Sequence, residues 1–230
     1  MMDVLLTGGD TELGRIIAEG FRDAGHQVVI AGSRRDELEV AAKELDVSYV
    51  VFDNNDPASL QAARASFPQH LDGIINVPAP RWDAGDPRTH TLTERASAWR
   101  HALDTTVLSA VLTVSVLGDQ LSSGGSIVNV VAANPADGSA DAAIKAALSN
   151  WTSGQAAHFG IRGITINLVA AGRGVDPGYD GLGSSPTTTA DEITRLALFL
   201  TTPSARHITG ETLHVSQGAL ASFGLSLIHI

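Results

Sequence analysis

The chain has 230 residues, no cysteine, a formal net charge of −10 at pH 7 and a hydrophobic content of 43%. This length suits one domain with a full core that needs no disulfide or metal. The missing cysteine excludes thiol catalysis and cysteine-ligated metal sites, and the acidic balance argues against a nucleic-acid-binding face, which needs basic residues.

Membrane and export segments are not expected. No apolar run approaches the ~18 residues of a membrane span, and the N-terminal residues enter a predicted strand at once, which leaves no room for a signal peptide. We therefore expect a soluble cytoplasmic protein with no membrane or nucleic-acid partner.

A glycine-rich turn follows the first apolar run, in residues 4–14 (VLLTGGDTELG). The run predicts a strand buried on both faces of a parallel sheet, and Gly8 and Gly9 predict a tight bend. Gly14 lets the next helix, from Leu13 to about Ala24, pack closely against that strand. Backbone N–H groups and the positive helix end then point outward together, which suits the pyrophosphate of a dinucleotide.

Two acidic residues of the turn oppose such a ligand. Asp10 and Glu12 would place carboxylates beside the pyrophosphate, and each pair of unit charges at ~5 Å and an effective dielectric near 20 costs about 3 kcal/mol before screening. Two interpretations stay open: a dinucleotide site, or a helix cap made by Asp10 with no ligand.

The second predicted strand, His26–Ala31, ends close to Ser33 and Arg34. An acid at this strand end would accept hydrogen bonds from ribose hydroxyls, whereas an arginine can bind a 2′-phosphate. The pair Ser33 and Arg34 therefore favours NADP(H) over NAD(H). Alternatively, Arg34 and Arg35 only open the charged helix from about Asp36 to Leu45.

Strands and helices alternate along the rest of the chain, which predicts an α/β fold, a Rossmann-type doubly wound parallel sheet of about seven strands with helices on both faces. Asp53, after the third strand, is placed to meet an adenine amino group. Further strands are predicted at Ser48–Phe52, Leu71–Val77, Gly125–Ala132, Arg162–Val169 and Glu211–Val215. Further helices are predicted at Pro57–Ser66, Thr93–Gln120, Ala140–Phe159 and Ala190–Thr201.

Three irregular segments lie between or after these elements. Residues 78–92 form a predicted loop on the side of the sheet where ligands bind, and residues 171–189 are either a mobile lid or a disordered surface loop. We assign residues 1–218 to a single Rossmann-type domain. The apolar tail 219–230 is either a segment that docks on a neighbouring subunit or a cloning remnant.

Several segments, in chain order, are similar to those of the short-chain dehydrogenase/reductase family, and the match covers nearly all of the chain. The resemblance implies an oxidoreductase that binds a nicotinamide nucleotide and forms a homo-dimer or homo-tetramer. The similar segments are Thr7–Gly14, Asp72–Ala79, Gly125–Val130, Lys145–Leu148, Arg162–Gly172 and Ile208–Gly218. The implied cofactor-binding residues are Thr7, Gly8, Gly9, Thr11, Leu13, Gly14, Ser33, Arg34, Asp53, Asn76 and Lys145.

The departures from the family pattern fall on the catalytic positions. Of the family's tyrosine, lysine, serine and asparagine, only the lysine is retained, as Lys145. The tyrosine position is Asp141, the serine position is Ala132, and the asparagine aligns best with Thr106.

The replacement of the tyrosine is chemically adverse. A phenol with a reference pKa of ~10, lowered by a lysine, can donate a proton near neutral pH, whereas a carboxyl group with a reference pKa of ~3.9 is already ionised. The spacing of Asp141 and Lys145 instead suits an i,i+4 ion pair on a helix surface.

Three functions fit these residues. We expect a protein that binds NADP(H) with impaired or absent hydride chemistry, a possible pseudoenzyme. The first alternative is an active NADP(H)-dependent reductase of a small carbonyl or ketoacyl substrate that uses another acid, such as Tyr179, His101 or a water chain. The second alternative is a non-catalytic nucleotide sensor or a structural subunit of a hetero-oligomer.

Overall fold

Seven parallel strands form the centre of the structure, a computed structural model that describes residues 1–78, 90–131, 140–171 and 189–215. Their bounds are β1 Asp3–Thr7, β2 Gln27–Gly32, β3 Ser48–Val51, β4 Leu71–Asn76, β5 Leu121–Val131, β6 Thr165–Ala171 and β7 Thr212–Val215. They lie in the order β3-β2-β1-β4-β5-β6-β7, each parallel to its neighbours. The predicted Rossmann-type sheet is confirmed.

Helices cover both faces of this sheet. Their bounds are α1 Glu12–Asp23, α2 Arg35–Leu45, α3 Pro57–Ala63, α4 Leu92–Leu103, α5 Ser109–Leu117, α6 Ala140–Gly160 and α7 Thr189–Leu200. Buried side chains of α1, α2 and α7 pack in one apolar cluster, and those of α3, α5 and α6 pack in a second. The core is thus divided between the two sides of the sheet, as expected for a doubly wound fold.

Strand β1 supplies side chains to both clusters. Val4 and Leu6 pack on the side of α1, whereas Leu5 packs on the side of α3, because successive side chains of a strand point to opposite faces. All three are almost completely buried, which is why this strand reads as a continuous apolar run and not as an alternating one.

The direction of the chain across the sheet reverses beside β1. From β1 the chain leads outward to β2 and β3, and it then returns to β4 on the other side of β1. In open parallel sheets a ligand binds outside the carboxyl ends of the strands at such a reversal. The glycine-rich turn, which begins where β1 ends at Thr7, lies at this place.

The predicted helix Thr93–Gln120 is not regular throughout. A π-helical segment, Asp104–Leu108, separates α4 from α5. The hydroxyl of Thr105 donates to the carbonyl of His101 at 2.8 Å, one of several such contacts in this stretch. A side chain that bonds the carbonyl four residues earlier competes with the helix ladder, which favours the local irregularity.

Within the described ranges, the helical stretch Leu92–Gln120 is long and apolar enough, by length and composition, to cross a membrane. Its mean hydropathy of 1.4 disagrees with the expectation that no apolar run approaches this length. A core helix of a water-soluble fold passes the same test, so this stretch is weak evidence for a membrane span.

Several predictions concern residues outside the described ranges. They include most of the loop 78–92, most of the segment 171–189, the tail 219–230 and the catalytic position Ala132.

Candidate functional site

The turn after β1 is built from close backbone contacts. Gly8 has a φ of +68°, and a Cβ atom at this residue would lie 2.7 Å from the carbonyl oxygen of Val77. A Cβ atom at Gly14 would lie 2.0 Å from the carbonyl oxygen of Gly8. Neither contact leaves room for a side chain, so the two outer glycines of the turn are required by packing.

Thr11 closes the turn and begins helix α1. Its Oγ1 donates to the carbonyl of Gly8 at 2.7 Å and accepts from the backbone N–H of Gly14 at 2.9 Å. Thr11 is therefore the N-cap residue of α1, and this cap role is not filled by Asp10. Glu12 follows in the first helical turn and is exposed.

Asp10 corrects an expectation from the sequence. Its side chain is only 4% exposed, and its Oδ2 accepts from the backbone N–H of Arg34 at 3.1 Å and from Arg34 Nε at 3.3 Å. The carboxylate thus faces the end of β2 and the start of α2, not the outer side of the turn. Of the two acidic residues that oppose a pyrophosphate in the sequence, Glu12 alone keeps an exposed position there.

Arg34 is held by more than one group. Its guanidinium also donates to the backbone carbonyl of Asp10 and to Glu37 Oε1, the latter at 3.0 Å. The Arg34 side chain nevertheless remains 43% exposed at the N-terminus of α2. Arg34 thus begins helix α2, as one of the two interpretations holds, and its guanidinium is also partly exposed to solvent.

The ends of β2 and β3 lie side by side. Gly32 pairs with Val51 in the register of the two strands, which brings Ser33 and Asp53 to the same edge of the sheet. Both residues are exposed. Asp53 Oδ1 accepts from the backbone N–H of Asn55 at 2.8 Å, so one carboxylate oxygen stabilises the local turn.

The end of β4 carries a buried polar chain. Asn76 Nδ2 donates to Asn129 Oδ1 at 2.9 Å, and Asn129 Nδ2 donates to Thr152 Oγ1 at 2.9 Å. Asn76 Oδ1 is buried and has no hydrogen-bond partner within the described part of the chain. Beside it, Thr7 Oγ1 accepts from the backbone N–H of Val77 at 3.1 Å and so joins β1 to β4.

These features test whether a dinucleotide suits the site. The turn has the compact backbone that close approach of a pyrophosphate requires, Arg34 offers a cation at the end of β2, and Asn76 offers a buried acceptor without a partner. The side chain of Leu13, also predicted to belong to the site, packs partly buried against the core. The described residues fit a dinucleotide, with Glu12 as the unfavourable group.

The retained lysine is in α6, next to the sheet edge at β7. Burial lowers the pKa of Lys145 below its ordinary value. Burial also lowers the pKa of His214, and the positive charge of nearby Lys145 lowers it further. Within the described ranges no ion pair joins Asp141 to Lys145, so the pairing expected from their spacing is not formed.

Of the other positions considered for catalysis, only some lie within the described residues. Thr106 lies half-buried in the π-helical segment, within the stretch that packs beside α6. Tyr179 lies outside the described residues, as does Ala132. The structure thus places Asp141 and Lys145 on helix α6, and Thr106 in the π-helical segment that packs against this helix.

A family model described as enoyl-(acyl carrier protein) reductase matches residues 10–183, well over half of the chain. The chain belongs to the short-chain dehydrogenase/reductase family. A protein of Mycobacterium tuberculosis (strain H37Rv) that is described as an oxidoreductase is 67% identical over 223 residues, which is 97% of this chain and 100% of the relative. The 3-oxoacyl-[acyl-carrier-protein] reductase FabG of Escherichia coli K12 is 28% identical over 93% of this chain and 95% of its own length.

Solved structures of other proteins share this fold. A short-chain type dehydrogenase/reductase from Mycobacterium ulcerans has a TM-score of 0.78 at 20% identity and covers 94% of this chain and 89% of its own. A blue fluorescent protein from a metagenomic library, solved in complex with NADPH, has a TM-score of 0.75 at 22% identity, with 94% and 97% covered. At these identities the similarity supports the fold alone.

Three groups of this short-chain dehydrogenase/reductase site were missed in the sequence. Glu37 contacts Arg34, Asn129 bridges Asn76 to α6, and His214 lies near Lys145. The sequence shows only that His214 lies two residues after Thr212, on the same face of β7. That this face lies against α6 is a finding of the structure, in which Thr212 bonds Ser149 at 2.6 Å.

Proposed function

We propose that this chain binds a nicotinamide dinucleotide at the turn after β1 and that its classical-type carbonyl chemistry is impaired or absent. The observation that carries the proposal is the state of α6, where Lys145 is retained while a carboxylate, Asp141, stands at the position of the family's tyrosine. Ancestry supports the first half of the proposal, and the replaced residue supports the second half.

The chemical argument concerns a proton. A bound nicotinamide supplies hydride, and the carbonyl oxygen that results needs a proton from the protein. In this chain Lys145 is half-buried and suited to hold ribose hydroxyls, but an aspartate at position 141 accepts hydrogen bonds and does not readily donate one. Binding can thus persist while turnover is lost.

Within the class of nicotinamide dinucleotides we propose a preference for NADP(H) over NAD(H). Arg34 at the end of β2 supports this preference, because its partly exposed guanidinium can bond the oxygens of a 2′-phosphate. No acid that would bind ribose hydroxyls stands directly after β2, where the chain has Ser33.

We also propose that the protein is a cytoplasmic homo-dimer or homo-tetramer. Short-chain dehydrogenases/reductases are typically oligomeric. Helix α4 supports assembly here, because none of its residues is buried and it exposes large apolar side chains.

A second candidate function is an active reductase that uses another acid on a ketoacyl or similar carbonyl substrate. The 3-oxoacyl reductase among the relatives favours it, as does the imidazole of His214 beside Lys145. The lowered pKa of His214 weakens this candidate, because a neutral imidazole is a poorer proton donor.

Calorimetric titration with NADPH and NADH tests the binding half. We expect NADPH to bind more tightly than NADH, and we expect Arg34→Ala to remove the difference. Equal and weak binding of both nucleotides, unchanged by Arg34→Ala, would contradict the proposed preference. No detectable binding of either would contradict the proposed site as a whole.

A further inference from the structure

The Asp10–Arg34 pair is an ion pair between the turn and the end of β2, and it is part of neither helix ladder nor sheet. The Asp10 carboxylate is almost fully buried, whereas the Arg34 side chain is nearly half exposed. We propose that Asp10 is a positioning residue that sets how strongly this site distinguishes NADP(H) from NAD(H). The inference rests on the proposed function, because it concerns the same nucleotide site.

Asp10 delivers a carboxylate to the end of β2 from a different segment of the chain. A Cβ atom at Gly32 would lie 2.5 Å from Asp10 Cγ, so the carboxylate packs directly against the backbone of the last residue of β2. Any residue other than glycine at position 32 would displace it. Strand β2 has no acidic residue of its own, and the carboxylate at its end is that of Asp10 from the glycine-rich turn.

The geometry of the guanidinium explains how Asp10 positions Arg34. Arg34 Nε and one terminal nitrogen both bond Asp10, at its carboxylate and its backbone carbonyl, while the other terminal nitrogen bonds Glu37. A guanidinium has five N–H donors, so these three bonds leave two N–H groups for another acceptor. Asp10 thus fixes the orientation of Arg34 and leaves it able to bond a phosphate.

The charges around Arg34 set the strength of that bond. Two carboxylates, those of Asp10 and Glu37, face this single guanidinium. Glu37 also pairs with Arg15, but only at 4.0 Å between Oε2 and the guanidinium nitrogen, so this second pair is weak. A 2′-phosphate bound by Arg34 would lie near the Asp10 charge, which burial protects from screening by salt. Asp10 therefore orders Arg34 but reduces its attraction for a phosphate, and the preference for NADP(H) is smaller than Arg34 alone would give.

The test measures dissociation constants of NADPH and NADH, by calorimetry, for the wild-type protein and for Asp10→Asn. The substitution keeps the shape of the side chain and removes its charge. We expect the ratio of NADH to NADPH dissociation constants to rise about tenfold, mainly through tighter NADPH binding. Glu37→Gln removes the exposed carboxylate on the same guanidinium and should raise the ratio by a smaller factor, which keeps the test available if Asp10→Asn does not fold.

The matched control is Glu39→Gln, which removes one charge from the same helix at a carboxylate that pairs with Arg35. It should leave the ratio within about twofold of wild type, because an exposed pair acts weakly at a distance. The double variant Asp10→Asn, Arg34→Ala should lose the gain, since the gain depends on the freed guanidinium. Adenosine 2′-monophosphate and adenosine 5′-monophosphate, titrated in the same way, separate the effect of the 2′-phosphate from that of the pyrophosphate.

The outcomes are distinct. A raised ratio in Asp10→Asn that Arg34→Ala abolishes supports the inference. An unchanged or lowered ratio, in a wild-type protein that binds nucleotide, overturns the inference and leaves the proposed function in place. If the wild-type protein binds neither dinucleotide, the proposed function is overturned and the inference with it.

Discussion

Single residues decide the shape of the turn after β1. Gly14 is the clearest case, because the carbonyl oxygen of Gly8 fills the space that a side chain at this residue would need. A glycine in a helix normally destabilises it relative to alanine, so its presence inside α1 has a packing reason. The same argument separates this residue from glycines that have free space around them.

We expect Gly14→Ala to lower the free energy of unfolding by about 1–3 kcal/mol, because the added methyl group must displace backbone. Urea denaturation measures this loss. The matched control is Gly154→Ala, an exposed helical glycine in α6 with no atom within 4 Å of its would-be Cβ, which should gain about 0.5–1 kcal/mol. A Gly14→Ala protein as stable as wild type would contradict the close approach.

The sequence did not predict the direction in which individual side chains of the turn point. The acidic residues Asp10 and Glu12 are equally visible in the sequence, yet the first is buried against Gly32 and the second is exposed. Their separation depends on the contact between the turn and β2, which is formed by residues more than twenty positions apart. Spacing alone carries no information about that contact.

A buried polar bridge joins two strands and a helix across the core. Asn129 in β5 links Asn76 of β4 to Thr152 of α6 and is completely buried. Replacing it leaves two polar groups without partners, and a buried polar group without a hydrogen bond costs about 1–3 kcal/mol. The bridge therefore holds α6, and with it Lys145, in place against the sheet.

We expect Asn129→Leu to lower the free energy of unfolding by about 2–4 kcal/mol, from the lost bonds and the changed volume. Chemical denaturation gives the value, and Thr152→Val, which removes one bond at nearly constant volume, should cost less. An Asn129→Leu protein with unchanged stability would show that the bridge is not a significant support.

Predicted strands and helices were found in their expected order because most of the strands are largely buried apolar runs bounded by turns, β3 and β7 being the exceptions. Boundaries were less accurate, since β5 begins at Leu121 and not at Gly125, and β6 begins at Thr165 and not at Arg162. The π-helical segment Asp104–Leu108 was not predicted, because helical periodicity does not distinguish a local π turn from an α turn. These differences come from pairing and packing with distant elements.

A half-buried imidazole, that of His26, links the stability of the fold to pH. Burial lowers the pKa of His26 below its usual 6.5, with a smaller contribution from the positive N-terminus, and its Nδ1 has no hydrogen-bond partner among the described residues. The ring also lies 5.8 Å from that of Phe21. As the pH falls below about 6.5, His26 of the unfolded chain therefore binds a proton more readily than His26 of the folded chain.

We expect stability to fall as the pH drops below about 6.5, and to be insensitive to His26 above that value, where both states are neutral. Urea denaturation at about pH 7.5 and about pH 5.5 should give a smaller loss for His26→Gln than for wild type. His207→Gln, at an exposed residue, is the control. Identical losses in the wild-type and His26→Gln proteins would contradict the assignment.

Assembly is the other property of the whole molecule. Trp99 and Leu103 are four residues apart on α4 and are 44% and 45% exposed. Because residues at i and i+4 share a helix face, they form an apolar surface suited to a second copy. Light scattering of Trp99→Glu should give a smaller species than wild type, whereas Ile161→Glu, at an exposed residue after α6, should not. A monomeric wild-type protein would contradict the proposed assembly.

We propose that nucleotide binding persists in this chain without an efficient proton donor. The most direct measurement is the rate of NADPH consumption by wild type and Asp141→Ala, on a panel of ketones and ketoacyl thioesters, with binding verified separately. We expect no turnover near the usual enzymatic range of about 1–1000 per second for either protein. Rapid NADPH consumption that is retained in Asp141→Ala would contradict it, because another group would then be donating the proton.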